Sequence, residues 1–307
     1  MKSLFYSFDD FKKYISIFLC SAALLFASCT HGIGGEQKQT LTVATQAHAI
    51  AYAENTALYL GNPSFARTEV AYAENYLIER TQYSLSYNNA TRIPNWVAWH
   101  LCSSDIGNVK RKNKFRRDPL VPRLWYRVDK NDYQHGTYGF DRGHMCPSGD
   151  RTDTAENNSA TFFMTNMVPQ SPANNQTVWN YFEKHIRDVV KNNSMEAYVV
   201  CGPYGAGGGS KKMTNVVEIV TDSGNAITVP SHTWKAVIYL QEGTDDISRI
   251  DEFTMVEAVF VPNDESCRGK PWESYRCSID FIEEKTGYDL FARIPDEIEA
   301  VIEAKMN

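Results

Sequence analysis

The chain contains no Cys-x-x-Cys pair, so the ligand spacing of a structural zinc site is missing. A phosphate-wrapping loop is missing too. The Gly-rich stretch Gly202-Pro-Tyr-Gly-Ala-Gly-Gly-Gly-Ser-Lys-Lys212 lacks the G-x4-G-K-[ST] order and no helical pattern follows it, so it reads as a flexible hairpin loop. No internal repeat and no low-complexity tract occurs, which excludes solenoids and arrays. Basic charge is not in excess. A formal net charge of −6 argues against a protein that coats nucleic acid, yet it allows an enzyme with a basic groove, because the field over the cleft governs substrate approach. The apolar run from Tyr14 to Ala27 is too short to span a membrane comfortably.

What is present starts at the N-terminus. Lys12 and Lys13 precede that apolar run, which ends Leu25-Phe26-Ala27-Ser28-Cys29. A positive region, an apolar core and small closing residues describe an export signal. A Cys after Ala-Ser resembles a bacterial lipobox, with Phe26 where Leu is usual. Residues 1–28 are therefore expected to be a lipoprotein-type signal peptide, with Cys29 acylated and holding the chain to a membrane through its lipid. The expected location is outside the cytoplasm, at the outer membrane, the periplasmic face or the cell surface. Residues 29–76 read as a tether, with some helix around Val70–Arg80, and residues 77–307 as the folded domain.

Beyond Cys20 and Cys29, five cysteines remain in what should be an oxidising compartment. Cys267 and Cys277 are close in sequence and are candidates for one bridge. Cys146 and Cys201, on what read as neighbouring strands, are candidates for a second.

With 43% hydrophobic residues the chain can bury a large core. Tyr83–Tyr87 and Pro94–Leu101 alternate like strands around the turn chemistry of Asn88-Asn-Ala-Thr and predict a hairpin. Further strands are expected at 197–201, 215–221, 226–229, 233–240 and 253–262. Helices are expected at 174–191, 278–286 (stopped by Gly287) and 295–305. Clustered strands with helices between and after them predict an α+β fold on a central, mainly antiparallel sheet.

The chemistry gathers in two segments. Tyr138-Gly-Phe-Asp-Arg-Gly-His-Met-Cys-Pro-Ser-Gly-Asp-Arg151 places His144 after Asp141, Arg142 and Gly143, where the glycine is expected to permit an unusual backbone angle. On the helix from Asn174, residues Val178, Phe182, Ile186 and Val189 form an apolar stripe, and Asn175, Trp179, Glu183 and Arg187 form an adjoining one. A polar stripe is ordinarily the wet side of a helix. One built from Asn, Glu and Arg beside a Trp can instead line a cleft. Upstream, Lys110-Arg-Lys-Asn-Lys-Phe-Arg-Arg117 is a basic run carrying an aromatic, Phe115. Alone it would be a solvated face; beside these segments it is a candidate guide for a phosphate backbone.

Together, YGFDRGHMCPSGDRT, TNMVPQSPANNQTVWNYFE and TGYDLF resemble the DNA/RNA non-specific endonuclease family, the ββα-metal group that includes sugar-non-specific secreted nucleases and mitochondrial endonuclease G. The resemblance covers most of the chain from Tyr83 to Phe291. It implies a ββα-metal fold and hydrolysis of DNA and RNA. Position by position, it implies His144 as general base and Asn175 as direct metal ligand. It makes Glu183 the holder of metal-bound water and Asn166 and Arg187 supporting residues. Arg142 falls on the motif's arginine, and Arg111 is the best fit to the upstream phosphate-contacting one. Asp141 is expected to orient its surroundings. The implied ion is Mg²⁺, with Mn²⁺ or another divalent cation as alternatives. Two other readings stay open: a surface protein that binds nucleic acid without cutting it, and a phosphodiesterase of small nucleotides.

Overall fold

The computed structural model describes residues 52–306. The expected signal peptide, Cys29 and most of the expected tether lie outside them.

Among the described residues, ten strands and six α-helices follow one another. The first three strands are β1 (Tyr76–Glu79), β2 (Ser84–Asn88) and β3 (Ile93–Leu101), followed by the short helix α1 (His135–Tyr138). Next come β4 (Asp141–His144), α2 (Ala155–Ala160), β5 (Met167–Gln170), α3 (Asn180–Asn193), β6 (Met195–Tyr204), β7 (Glu218–Val220) and β8 (Ala226–Thr228). The chain closes with β9 (His232–Gln241), α4 (Asp246–Arg249), β10 (Met255–Pro262), α5 (Ile279–Thr286) and α6 (Asp296–Ile302).

One sheet, in the order β1-β2-β3-β6-β9-β10, forms the centre, and every neighbouring pair in it is antiparallel. Its inner strands β3, β6 and β9 are buried on both faces and read as mostly apolar runs, while β2 alternates in sequence. Side chains alternate between two cores. Along β9, Trp234, Ala236, Ile238 and Leu240 join a core with α5, α6 and the segment around Leu58 and Leu60. Val237 and Tyr239 join the other, under α3 and the β4–β5 pair. The predicted hairpin is β2–β3. Helix α5 starts where Ser278 Oγ accepts from the Phe281 amide at 3.1 Å and stops at Gly287, φ +72°.

Several expectations are corrected. The packed domain begins well before residue 77: Leu58, Leu60 and Ala66 are buried, because the second core needs a cover that the C-terminal helices do not complete. Residues 70–75 form turns, with no helix. The Gly-rich segment is not a hairpin loop, since β6 pairs with β3 and β9 while β7 pairs only with β8.

All five described cysteines are free thiols, in place of the two expected bridges. Cys267 packs in the core under α3 and Cys277 against the opposite core, so the sheet separates them. Cys201 is on β6, whereas Cys146 lies just past β4 in the separate β4–β5 pair, so they are not on adjacent strands.

Candidate active site

Strands β4 and β5 and the helix that follows build a ββα unit against the central sheet. In β4, His144 lies opposite Met167 and Gly143 opposite Val168. Gly143 matters for clearance. A Cβ built there would stand 2.5 Å from Gln170 Cβ, so only glycine admits the buried Gln170 side chain beside the histidine. Its φ is not positive, which corrects the expected unusual angle. The chain past His144 is clamped by Asn166, which is fully buried. Asn166 Nδ2 donates to the carbonyls of Cys146 (2.8 Å) and Thr161 (2.9 Å), while its Oδ1 accepts from the Cys146 amide at 2.9 Å.

The helix begins irregularly. Residues Asn174–Trp179 form a π turn before α3 starts at Asn180. A π turn carries an extra residue per turn, so positions five apart come to share a face. Asn180 therefore follows Asn175 in the cleft, and Trp179 rotates into the core, 1% exposed, its Nε1 donating to the His144 carbonyl at 3.1 Å. The expected stripe of Asn175, Trp179, Glu183 and Arg187 is corrected accordingly: Asn175, Asn180, Glu183 and Arg187 line the site.

A cleft of ≈ 380 Å³ gathers Arg111, Arg142, His144, Asn175, Gln176, Asn180, Glu183 and Arg187 with the Pro147–Gly149 turn. His144 is 6% exposed, packed edge-on against Phe162 at 4.9 Å between ring centres and tilted against Phe115 at 5.5 Å. Among the described residues its Nε2 has no hydrogen-bond partner. Burial, then the nearby Arg111 and Arg142 cations, hold its pKa well below the ordinary histidine value. The ring is thus neutral, with an uncommitted nitrogen. Phe115 also carries the Arg142 guanidinium, 4.3 Å above its ring, which ties the basic run to the site. Arg111 lies over the Phe162 ring at 5.1 Å and its Nη1 donates to Ser148 Oγ at 3.0 Å.

Asp141 Oδ2 accepts from Asn175 Nδ2 at 2.9 Å and from Gln176 Nε2 at 2.7 Å. Arg187 Nη1 donates to Asp150 Oδ1 at 2.8 Å, and Trp99 Nε1 holds the other Asp150 oxygen at 3.0 Å. Glu183 is nine-tenths buried and its Oε1 makes no hydrogen bond among the described residues. Burial pushes its pKa up, against the pull of Lys235 and Arg187. Lys235 Nζ stands 3.6 Å from that oxygen.

Three groups of His, Cys, Asp and Glu lie close enough to share an ion among the described residues: His100–Cys102–Asp105, His100–Glu196–Asp246 and Asp280–Glu283–Glu303. None is in the cleft. There the available donors are the amide oxygen of Asn175 and the carboxylate of Glu183, an all-oxygen set that suits a hard divalent cation keeping most of its water.

Asn180, Asp150 and Lys235 were missed by the sequence reading. Lys235 had a signal, a lone cation inside the otherwise apolar strand Thr233–Leu240. Asn180 had none without knowledge of the π turn.

The family model for DNA/RNA non-specific endonucleases matches residues 61–297. A protein from Nostoc sp. named "Nuclease" is 41% identical over 250 residues, 81% of this chain and 85% of that protein. Nuclease C1 of Cunninghamella echinulata is 30% identical, over 77% of this chain and 88% of its own length. The mitochondrial nuclease EXOG of Xenopus laevis is 30% identical over 69% of this chain, which spans 57% of that longer protein. The crystal structure of an EndoG/EndoGI complex contains a chain of the same fold, with TM-score 0.64 and 24% identity over 81% of this chain and 96% of that one.

Proposed function

The chain belongs to the DNA/RNA non-specific endonuclease family, whose members hydrolyse phosphodiester bonds with a divalent metal, and from that premise we propose that His144 is the general base and Mg²⁺ the working ion. The single observation that carries this reading is the buried His144, its unpartnered Nε2 set in a cleft lined by three arginines and one carboxylate.

A neutral imidazole takes a proton from water at Nε2 as that water attacks phosphorus. Arg111, Arg142 and Arg187 grip the phosphate oxygens; Arg187 is held in place by Asp150 and keeps nitrogens free for the substrate. Asn175 would hold the ion through its amide oxygen, and Glu183 would hold a water of that ion. When bound, the divalent ion neutralises the phosphate and stabilises the leaving 3′-oxygen. Mn²⁺ or another divalent cation can replace Mg²⁺ in this role. Asp141 orients Asn175, and Asn166 braces the chain behind His144. Contacts to phosphate in place of base edges make the enzyme indifferent to sequence. Attack by water makes the 2′-hydroxyl unnecessary, so both DNA and RNA are substrates.

Plasmid and RNA should both be degraded with Mg²⁺ and survive in EDTA; cutting that persists in chelator would reject the ion's role. We also propose that the protein is an exported lipoprotein. Lys12, Lys13, the apolar run to Ala27 and Cys29 support this. Cys29→Ala should move it out of the membrane fraction, and retention there would refute acylation as the anchor.

A further inference from the structure

Lys235 is the least expected side chain near the cleft. It sits midway along β9, flanked across the sheet by Cys201 on β6 and Val259 on β10, with no exposed side-chain surface. Its ammonium makes no hydrogen bond among the described residues. It lies 4.3 Å from the centre of the Trp179 ring, 5.3 Å from that of Trp99, and 3.6 Å from Glu183 Oε1. A buried ammonium is costly, and an apolar side chain of similar length would fill this space more cheaply. Packing alone does not account for it. The aromatic faces stabilise the cation without donating or accepting a hydrogen bond, so Glu183 is its only anionic contact among the described residues.

Resting on the nuclease reading above, we propose that Lys235 is a positioning residue: it holds the Glu183 carboxylate at the floor of the cleft through Oε1 and so sets the affinity of the site for its divalent ion. Lys235 touches neither substrate nor ion. It acts behind Glu183, as an outer partner orients a group that faces the metal. The π turn contributes by rotating Trp179 inward, which gives the ammonium one of its two aromatic walls.

The test is a double-mutant cycle of Lys235→Met and Glu183→Gln on the full chain, reading thermal midpoint and the Mg²⁺ concentration that half-shifts it. Lys235→Met should weaken Mg²⁺ roughly 10- to 100-fold, as loss of outer partners does. Each single variant leaves a buried charge alone and should lower the metal-free midpoint. The double variant removes both charges and should melt above either single one. Adding Lys235→Met to Glu183→Gln should weaken Mg²⁺ no further. Lys235→Arg should retain more Mg²⁺ affinity than Lys235→Met.

Additive losses of stability would overturn the proposal, as would a Lys235→Met protein with Mg²⁺ affinity within about twofold of wild type. If Lys235→Met cannot be purified, a sound double variant supports the coupling; failure of both assigns Lys235 to packing. Wild-type protein that neither binds Mg²⁺ nor cuts would refute the nuclease mechanism, while the metal-free midpoints still decide the pairing.

Discussion

Asp141 Oδ2 accepts a hydrogen bond of 2.9 Å from Asn175 Nδ2. A carboxylate only accepts, so the NH₂ end of Asn175 must face Asp141 and its amide oxygen is the end left for an ion. The aspartate of the Asp-Arg-Gly-His motif thus reaches the π turn and sets which atom of Asn175 is offered.

Asp141→Ala should free that amide to rotate. Apparent Mg²⁺ affinity should fall roughly 10- to 100-fold with the fold intact, measured as the Mg²⁺ dependence of plasmid cleavage. Unchanged Mg²⁺ dependence would remove Asp141 from this role.

His144→Ala should lower turnover by about 10²- to 10⁴-fold while nucleic-acid binding remains measurable by fluorescence anisotropy. A variant as active as wild type would dismiss the histidine as the base.

The depressed pKa of His144 has a definite sign. Its neutral form, the one able to accept a proton, persists below the ordinary value of about 6.5. The acid limb of kcat/KM should therefore lie below that pH. For stability, the unfolded chain binds this proton more readily than the folded one, so stability is kept above about pH 6.5 and declines as pH drops toward the folded pKa. His144→Phe should shrink that decline in a pH series of melting curves.

Gly143→Ala puts a methyl group 2.5 Å from Gln170 Cβ. Relief requires moving the β4–β5 pair, which should cost about 1–3 kcal/mol. A lower melting temperature with reduced activity is expected; a neutral effect would show that the pair has room to give.

Because the described cysteines are free thiols, reductant should not lower the melting temperature. A clear drop in dithiothreitol would restore one of the expected bridges.

Strand and helix periodicity in this chain was open to reading because it is local. The alternation of Tyr83–Tyr87, the apolar stripe of Val178, Phe182, Ile186 and Val189, and the Ser278 and Gly287 stop signals each report on neighbours a few residues away. The same holds for the spacing that singled out His144, Asn175, Glu183 and Arg187, all of which line one cleft. Arg111 could be proposed only as the best fit within a basic run, since nothing local distinguishes it from Arg116 or Arg117. Phe115 and Phe162 make the distinction by pinning the run against the histidine.

By itself, then, the sequence determined β2, β3, β6 to β10, α3, α5 and α6, the central antiparallel sheet and the motif residues, because periodicity and spacing are properties of adjacent chain, whereas the short elements β1, β4, β5, α1, α2 and α4 carried no such local pattern. Tertiary structure alone decided that Trp179 turns inward and Asn180 outward, that Lys235 stands behind Glu183, that Asp150 holds Arg187, and that Cys267 and Cys277 face opposite cores. Those relations join residues as far apart in sequence as Glu183 and Lys235 through strand order and one irregular helical turn, and burial and charge take their values only once such distant groups share the same few ångströms.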